Sequence, residues 1–183
     1  KKEAKKKGVP PFAVFQEPSL QEMALHYPTS IDELKNISGV GEGKSRKFGK
    51  PFIELISKYV EDNNIEKADD FVMKSVVNKS GLKVYIIQST DRKLPLEDIA
   101  SAKGLSMDQL ITEIEHIVHS GTKINLDYHL EDLFDEDQME EVHEYFMEAE
   151  TEDLAEAVEE FDGEYDEDEL RLMRIKFMSE VAN

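Results

Sequence analysis

Apolar residues recur along this chain at helical spacing, in short blocks separated by capping residues, glycines and prolines. The longest stripe of the first third is Phe52, Leu55, Ile56, Tyr59 and Val60, at i, i+3, i+4, i+7 and i+8, which Asn63-Asn64 ends. Upstream, Ser19 with Glu22 and Ser30 with Glu33 have the spacing of capping boxes. They predict a helix over 20–26 or 20–27, stopped by Pro28, and a second short helix that turns Leu34 and Ile37 inward. Residues 1–7 read as the tail of a helix ended by Gly8, and Pro10-Pro11 force an extended turn before the apolar quartet Phe12-Ala13-Val14-Phe15. A helix from about Glu42, broken near Gly49, and a last one with Pro51 in its first turn complete a five-helix unit over residues 1–66.

Residues 67–81 read as a linker, with Phe71-Val72-Met73 and Val76-Val77 predicted to pack on a domain and Gly81 as its break. A helix is expected over 82–90, with a strand as the alternative because Val84-Tyr85-Ile86-Ile87 is β-prone. Then Ile99-Ala100, Gly104, the cap Ser106 and the stripe Leu110, Ile111, Ile114, Ile117 and Val118 form a helix-turn-helix within residues 82–130. Lys123-Ile124-Asn125-Leu126-Asp127 alternates and is a candidate wing strand. Residues 131–183 carry three further stripes: Met139, Val142 and Phe146; Leu154, Val158 and Phe161 behind a Thr151 cap; and Leu170, Met173 and Phe177, with Arg171, Arg174 and Lys176 suited to a helix C-terminus. The expected fold is mainly α: a five-helix bundle, a helix-turn-helix and an acidic helical bundle.

Charge changes this picture, because it is uneven. The net of −19 is concentrated in residues 121–183, with 4 Lys+Arg against 23 Asp+Glu. Residues 1–69 are nearly neutral, with 12 against 11, and contain a local basic patch. That patch lies in the glycine-rich stretch 36–49, where Gly41, Gly43, Lys44, Arg46 and Lys47, with Lys50 just beyond, crowd between two helical patterns. Gly43-Lys44-Ser45 has the second half of a nucleotide-binding P-loop, but the first glycine would fall on Ser38, and the stretch follows a helical pattern instead of a buried strand. The pattern is that of a helix, a glycine turn and a helix whose N-terminal N–H groups and lysines offer a phosphate-binding surface. A plain helix corner with solvated lysines has the same pattern.

These residues carry a resemblance. Gly8-Val9-Pro10-Pro11-Phe12-Ala13-Val14-Phe15, Leu20-x-x-Met23-Ala24, Pro28, Leu34-x-x-Ile37-x-Gly39-Val40-Gly41 and Lys44-x-x-x-Phe48-Gly49 resemble the HRDC domain shared by RecQ helicases and RNase D. The likeness covers nearly all of residues 1–64. It implies a small helical bundle that binds single-stranded or branched DNA weakly and tunes a parent ATP-dependent 3'-5' helicase in recombination and repair. The aromatic after Pro-Pro is tied to single-strand binding in bacterial members, which points to Phe12, equally readable as a core residue. Phosphate contacts in such domains come from the glycine hairpin and its neighbouring helix, which points to Gly41, Gly43, Lys44, Arg46, Lys47 and Lys50. The order of HRDC, linker, helix-turn-helix and acidic tail is similar to the C-terminal end of RecQ proteins from Bacteroidetes-type bacteria, which implies residence in the bacterial cytoplasm, at the nucleoid. RNase D is the weaker parent, since an acidic helix-turn-helix appendage does not suit it. The chain opens on Lys1 rather than Met, and so reads as a piece of something longer, with ATP and magnesium assigned to a helicase core upstream and no cofactor to this piece.

Arg92, Lys93, Lys103 and Lys123 surround the helix-turn-helix as secondary phosphate contacts. Its second helix, however, turns Asp108, Gln109, Thr112, Glu113, Glu115, His116 and His119 outward, and carboxylates facing a phosphate groove repel it. The acidic bundle suits a basic partner protein or the helicase's own basic channel, so a region of protein interaction and autoregulation with little DNA binding is the competing reading. With no cysteine there are no disulfides or thiolate zinc sites, and His116 with His119 lacks completing ligands. Asp135-x-Asp137 is not an EF-hand, because Met139 and Glu140 stand where Asx and Gly are needed. No catalytic constellation is expected, and no apolar run is long enough to cross a membrane.

Overall fold

A computed structural model describes residues 1–67 and 79–183, and every regular element among them is a helix. Most of the 67–81 linker expectation therefore lies outside the described residues. In the first module α1 (Lys2–Lys7), α2 (Pro11–Val14), α3 (Glu17–His26), α4 (Ile31–Leu34) and α5 (Glu42–Asp62) enclose a core of Ala4, Val14, Phe15, Met23, Leu34, Ile37, Val40 and Phe48. The number of helices is five but the division differs, since the two helices expected after Glu42 are one, α5, and the segment at Pro11–Val14 is itself a helix, α2; several local devices differ as well. Ser19 is not a cap: α3 starts at Glu17, and Ser19 is buried inside it. Its hydroxyl donates to the Ser38 carbonyl at 2.6 Å, and the Glu22 carboxylate accepts from the Ser38 N–H at 3.0 Å. The pair thus clamps the turn before α5, where Gly39 has φ +75 and stands against the Ser19 hydroxyl. Ser30 does cap α4, accepting from the Glu33 N–H, while the Glu33 carboxylate reaches back to the Thr29 N–H at 2.6 Å.

The expected break at Gly49 is absent, and α5 runs through both Gly49 and Pro51. Gly49 serves packing: a Cβ there would sit 2.6 Å from Leu34 Cδ2, so the missing side chain lets α4 lie close on α5. Pro51 leaves the Lys47 carbonyl without its helical donor, a cost that the packed α5 carries. The apolar stripe at its far end is only partly inward, since Leu55 is 69% and Tyr59 52% exposed, the latter stacked on Tyr27.

The second module comprises α6 (Lys79–Asp91), α7 (Leu96–Lys103), α8 (Met107–His119), α9 (Asp127–Leu130), α10 (Glu136–Glu148), α11 (Leu154–Glu160) and α12 (Glu167–Val181). Residues 82–90 are helical, and α6 passes through Gly81 without breaking. In the helix-turn-helix, Gly104 ends α7 at φ +64, and Ser106 with Gln109 makes a complete capping box for α8. The expected wing is not a strand. Its alternation is real, with Ile124 and Leu126 buried, but the segment lies along α12, where the Ile124 N–H donates to Ser179 Oγ at 3.2 Å. The segments read as helix-turn-helix and acidic bundle share one apolar core, from Ile86 through Leu110, Ile114 and Phe146 to Phe177. At its centre α12 packs against α8, α9, α10 and α11.

Much of the acidity of this half is helix-terminal. Asp135 caps α10 and Asp166 caps α12 in full capping boxes, with Glu136, Asp137, Glu167 and Asp168 in the first turns. Asp153, not Thr151, caps α11; Thr151 donates to Glu156 instead. The cations of α12 do not serve its C-terminus either. Arg171 bonds Asp108, Thr112 and Glu115 of α8, Arg174 bonds Glu115, and Lys176 bonds Asp127.

Candidate functional site

The N-terminus of α5, expected to face phosphate, faces protein. Gly41 N–H donates to the Ser120 carbonyl at 3.0 Å, at the C-terminal end of α8. A Cβ on Gly43 would lie 2.2 Å from the Gly121 carbonyl oxygen, and one on Gly121 would lie 2.4 Å from the Lys44 nitrogen. Three glycines therefore bring two backbones into contact, and Gly121 takes φ +98 to do so. The positive end of α5 meets the negative end of α8, so the dipole that would attract an anion is answered by carbonyls of the same chain. Gly41 and Gly43 are joint residues here.

Lys44 lies inside this joint and is 1% exposed. Burial pushes its ammonium down to about 8; Glu152 opposes that shift and Lys47 adds to it. Glu152 belongs to the segment before α11 and accepts from Gln16 at the start of α3. Its other oxygen lies 3.1 Å from Nε2 of the buried His119. Burial raises the Glu152 carboxyl, but these bonds and the nearby Arg174 outweigh it and hold the group below its usual range. Arg174 also donates to the Glu152 carbonyl, while its own Nε is buried without a partner. Lys1 with Glu150, 3.1 Å apart, adds an exposed tie between the modules.

Phe12 is buried as well, at 7%, with its ring 6.2 Å from that of Phe177. The open choice between stacking platform and core thus resolves to core, and to the core of the second module. Within α2, Phe12 and Ala13 join the cluster around Phe177, while Val14 and Phe15 join the first. One turn of helix serves both modules.

The structure separates Arg46, Lys47 and Lys50 from this interior. All three are exposed on α5. Arg46 pairs with Glu42, Lys50 lies 3.9 Å from Glu54, and Lys47 donates to the Val181 carbonyl at 3.4 Å. Burial and the neighbouring Lys7 both lower the Lys47 ammonium. Lys7 therefore belongs to the patch. Sequence reasoning missed it by treating 1–7 as a helix tail, although its run of lysines was the available signal.

Around the helix-turn-helix, Arg92, Lys93 and Lys123 are exposed, and Lys103 lies over the Tyr85 ring at 4.3 Å. These four cations do not converge on the outward face of α8. Asp108, Thr112 and Glu115 on that face are engaged by α12, and His119 by Glu152, while Gln109 and His116 remain exposed, so only part of the face is open. An open groove of about 650 Å³ is lined by Phe134 and Met139, by Glu131, Asp135, Glu136, Glu140 and Glu180, and by His143 and Lys176. Among the described residues no three His, Asp or Glu side chains converge as metal ligands, and no helix is long and apolar enough to cross a membrane.

Comparison with known proteins places both modules. Residues 1–56 match the HRDC domain family, and residues 80–130 match the family described as RecQ-1-like, helix-turn-helix domain. Over 56 residues, 31% of this chain, it is 46% identical to the ATP-dependent DNA helicase RecQ of Haemophilus influenzae and to that of Bacillus subtilis, covering 9% and 10% of those proteins. A longer alignment, 24% identical over 140 residues and 69% of the chain, reaches the mouse bifunctional 3'-5' exonuclease/ATP-dependent helicase WRN, of which it covers 10%. The chain thus spans about a tenth of the length of these relatives. It carries an HRDC domain followed by a RecQ-type helix-turn-helix domain, a make-up consistent with the C-terminal region of a RecQ helicase.

Proposed function

We propose that this HRDC and helix-turn-helix region is the accessory part of an ATP-dependent 3'-5' RecQ-type DNA helicase, acting on single-stranded or branched DNA in the bacterial cytoplasm, at the nucleoid. ATP and magnesium are the business of the helicase core, outside this chain. The region adds weak, salt-sensitive affinity that keeps the nucleic acid near that core during recombination and repair. The observation that carries this reading is the exposed basic cluster of Lys7, Arg46, Lys47 and Lys50 on an HRDC fold, in a chain otherwise dominated by carboxylates. Cations without convergent base-reading side chains suit backbone recognition, in which affinity comes from counterion release. Because Phe12 is buried, stacking on it contributes nothing. Anisotropy of a fluorescent oligo-dT with the whole chain tests the reading: affinity is expected at low salt, falling steeply as salt rises, and weakened by Lys47→Glu with Lys50→Glu. Absence of binding at low salt refutes it.

A second reading, protein docking with little DNA binding, draws on the acidic groove between α10 and α12, whose carboxylates and apolar lining suit a basic segment of a partner or of the helicase core. Its mark is binding of a basic peptide by a chain that ignores oligo-dT.

A further inference from the structure

Three segments meet at the joint between the modules, and none contains a carboxylate: residues 43–53, 81–90 and 116–126. In a chain of 41 Asp+Glu against 22 Lys+Arg, this is where acid is missing from two modules at once. The segments supply Lys44, Arg46, Lys47 and Lys50 from α5, Lys83 from α6 and Lys123 from the turn after α8. Contacts show that they are neighbours. Gly41 N–H donates to Ser120, Gly43 packs on Gly121, and Lys83 Nζ lies 3.5 Å from Ser120 Oγ. Lys123 follows two residues after Gly121 and is exposed. Along α5, positions 43, 47 and 50 share one face, so Lys47 and Lys50 extend from the joint. Lys47 touches Val181 at the end of α12, and Asn183 just beyond donates to Val118 of α8. Of the nearby carboxylates, Glu42 is engaged by Arg46, Glu152 by His119 and Gln16, and Glu180 by Lys176 and His143, while Glu54 lies 3.9 Å from Lys50.

We infer that the phosphate-binding surface straddles the joint, so that one nucleic-acid strand lies across both modules, held by Lys47 and Lys50 on one side and Lys83 and Lys123 on the other. The helix-turn-helix module then contributes through the cations at the C-terminal end of α8 and not through the outward face of that helix, which carries carboxylates and whose Asp108, Thr112 and Glu115 are engaged by α12. This assignment rests on the single-strand reading above and adds a second half to its site. It also gives the glycine joint a use: a fixed contact between modules keeps cations from both in a constant arrangement along the strand.

The test is oligo-dT anisotropy with the whole chain as a function of salt, on four charge variants whose folding is checked by circular dichroism and thermal melting. Lys123→Glu, which alters an exposed side chain, and Lys83→Gln with Lys123→Gln, which removes charge without adding repulsion, are each expected to weaken binding about three- to tenfold at low salt. The slope of log affinity against log salt is expected to fall by about 0.7 per lost phosphate contact. Lys58→Glu, exposed near the far end of α5 and matching the charge change of Lys123→Glu, is expected to leave both quantities unchanged. Wild-type affinity and slope in the Lys83 and Lys123 variants overturn the inference, while loss on Lys47→Glu with Lys50→Glu still supports the HRDC site. Absence of wild-type binding overturns both. Equal loss in the Lys58 control also overturns it, because the effect would then be one of net charge.

Discussion

Replacing Lys44 with methionine separates the sequence reading from the structure most sharply. A lysine after a glycine turn should hold phosphate, and its loss should cost DNA affinity. In the structure it is an ammonium buried at a joint, with its pKa pushed from 10.5 to about 8. The folded pKa lies below the unfolded one, so the protonated group is less favourable folded than unfolded. At about 1.4 kcal/mol per pKa unit, the gap corresponds to a penalty of about 3 kcal/mol, fully present below pH 8. As pH rises from 8 to 10.5 the unfolded chain binds more protons at this group than the folded chain, and the penalty disappears. Methionine keeps an unbranched stem of similar length without the charge. Glu152 retains His119, Gln16 and Arg174, so no carboxylate is stranded.

Lys44→Met is therefore expected to be at least as stable as the wild type at pH 7, by up to about 3 kcal/mol, and to lose most of that advantage by pH 10. Paired urea denaturations at fixed ionic strength between pH 7 and 10 measure it. The difference between the two proteins cancels the other shifted lysines and the raised Tyr128, Tyr145 and Tyr165. Oligo-dT affinity at pH 7 is expected to stay within about twofold, since an interior ammonium contributes no direct phosphate contact. A variant less stable by more than about 1 kcal/mol, with a difference flat in pH, would refute the reasoning. It would mean that the ammonium is satisfied where it lies.

Gly43→Ala drives a methyl into the Gly121 backbone and is expected to cost about 1–3 kcal/mol in thermal or urea unfolding, whereas Gly81→Ala, with open space around it on α6, should gain about 0.5–1 kcal/mol. Equal effects of the two would show that the glycine contact is not fixed. Phe12→Ala should cost about 3–5 kcal/mol while leaving oligo-dT affinity unchanged under folding conditions; lost affinity at unchanged stability would restore it as a stacking residue. Glu115→Ala leaves Arg171 with Asp108 and Thr112 and Arg174 with the Glu152 carbonyl, at an α8–α12 contact where Glu115 and both arginines are nearly covered, and is expected to cost about 1–3 kcal/mol by urea denaturation. A loss under about 1 kcal/mol would show that these pairs are solvated.

What was legible in the sequence was local. Caps such as Ser30 and Ser106 act over three residues, and the stripe from Leu110 to Val118 needs only its own period, so α4 and α8 read correctly. Ser19 and Glu22 have the same spacing as a capping box, yet their partner is Ser38, and no local pattern distinguishes the two uses. Gly49 looked like a helix break because glycine is costly in a helix; its reason is Leu34 on another element. The alternation of 123–127 implied a pleat, but one buried face against α12 asks for the same pattern. Gly43 and Gly121 offered the hardest case. Each had an adequate local explanation, as turn and helix end, and their contact joins positions far apart in the chain.

The same distinction bears on the candidate site. Glycines and lysines side by side describe a concave, positive backbone, and such a surface is useful to a phosphate or to the C-terminal carbonyls of a helix. Composition cannot choose between them, because both ligands are rows of negative oxygen. Here the carbonyls of α8 hold the central position, and the cations fall into two groups: Lys44 enclosed, and Lys7, Arg46, Lys47 and Lys50 outside. Enclosing Lys44 carries an electrostatic cost that a purely structural joint could avoid with an apolar residue of similar length. The joint retains it, with Glu152 beside it, among the segments 43–53, 81–90 and 116–126, which carry no carboxylate of their own. Under the proposed function, the exposed lysines of the two modules, and not the enclosed Lys44, are what a strand of phosphates would meet there.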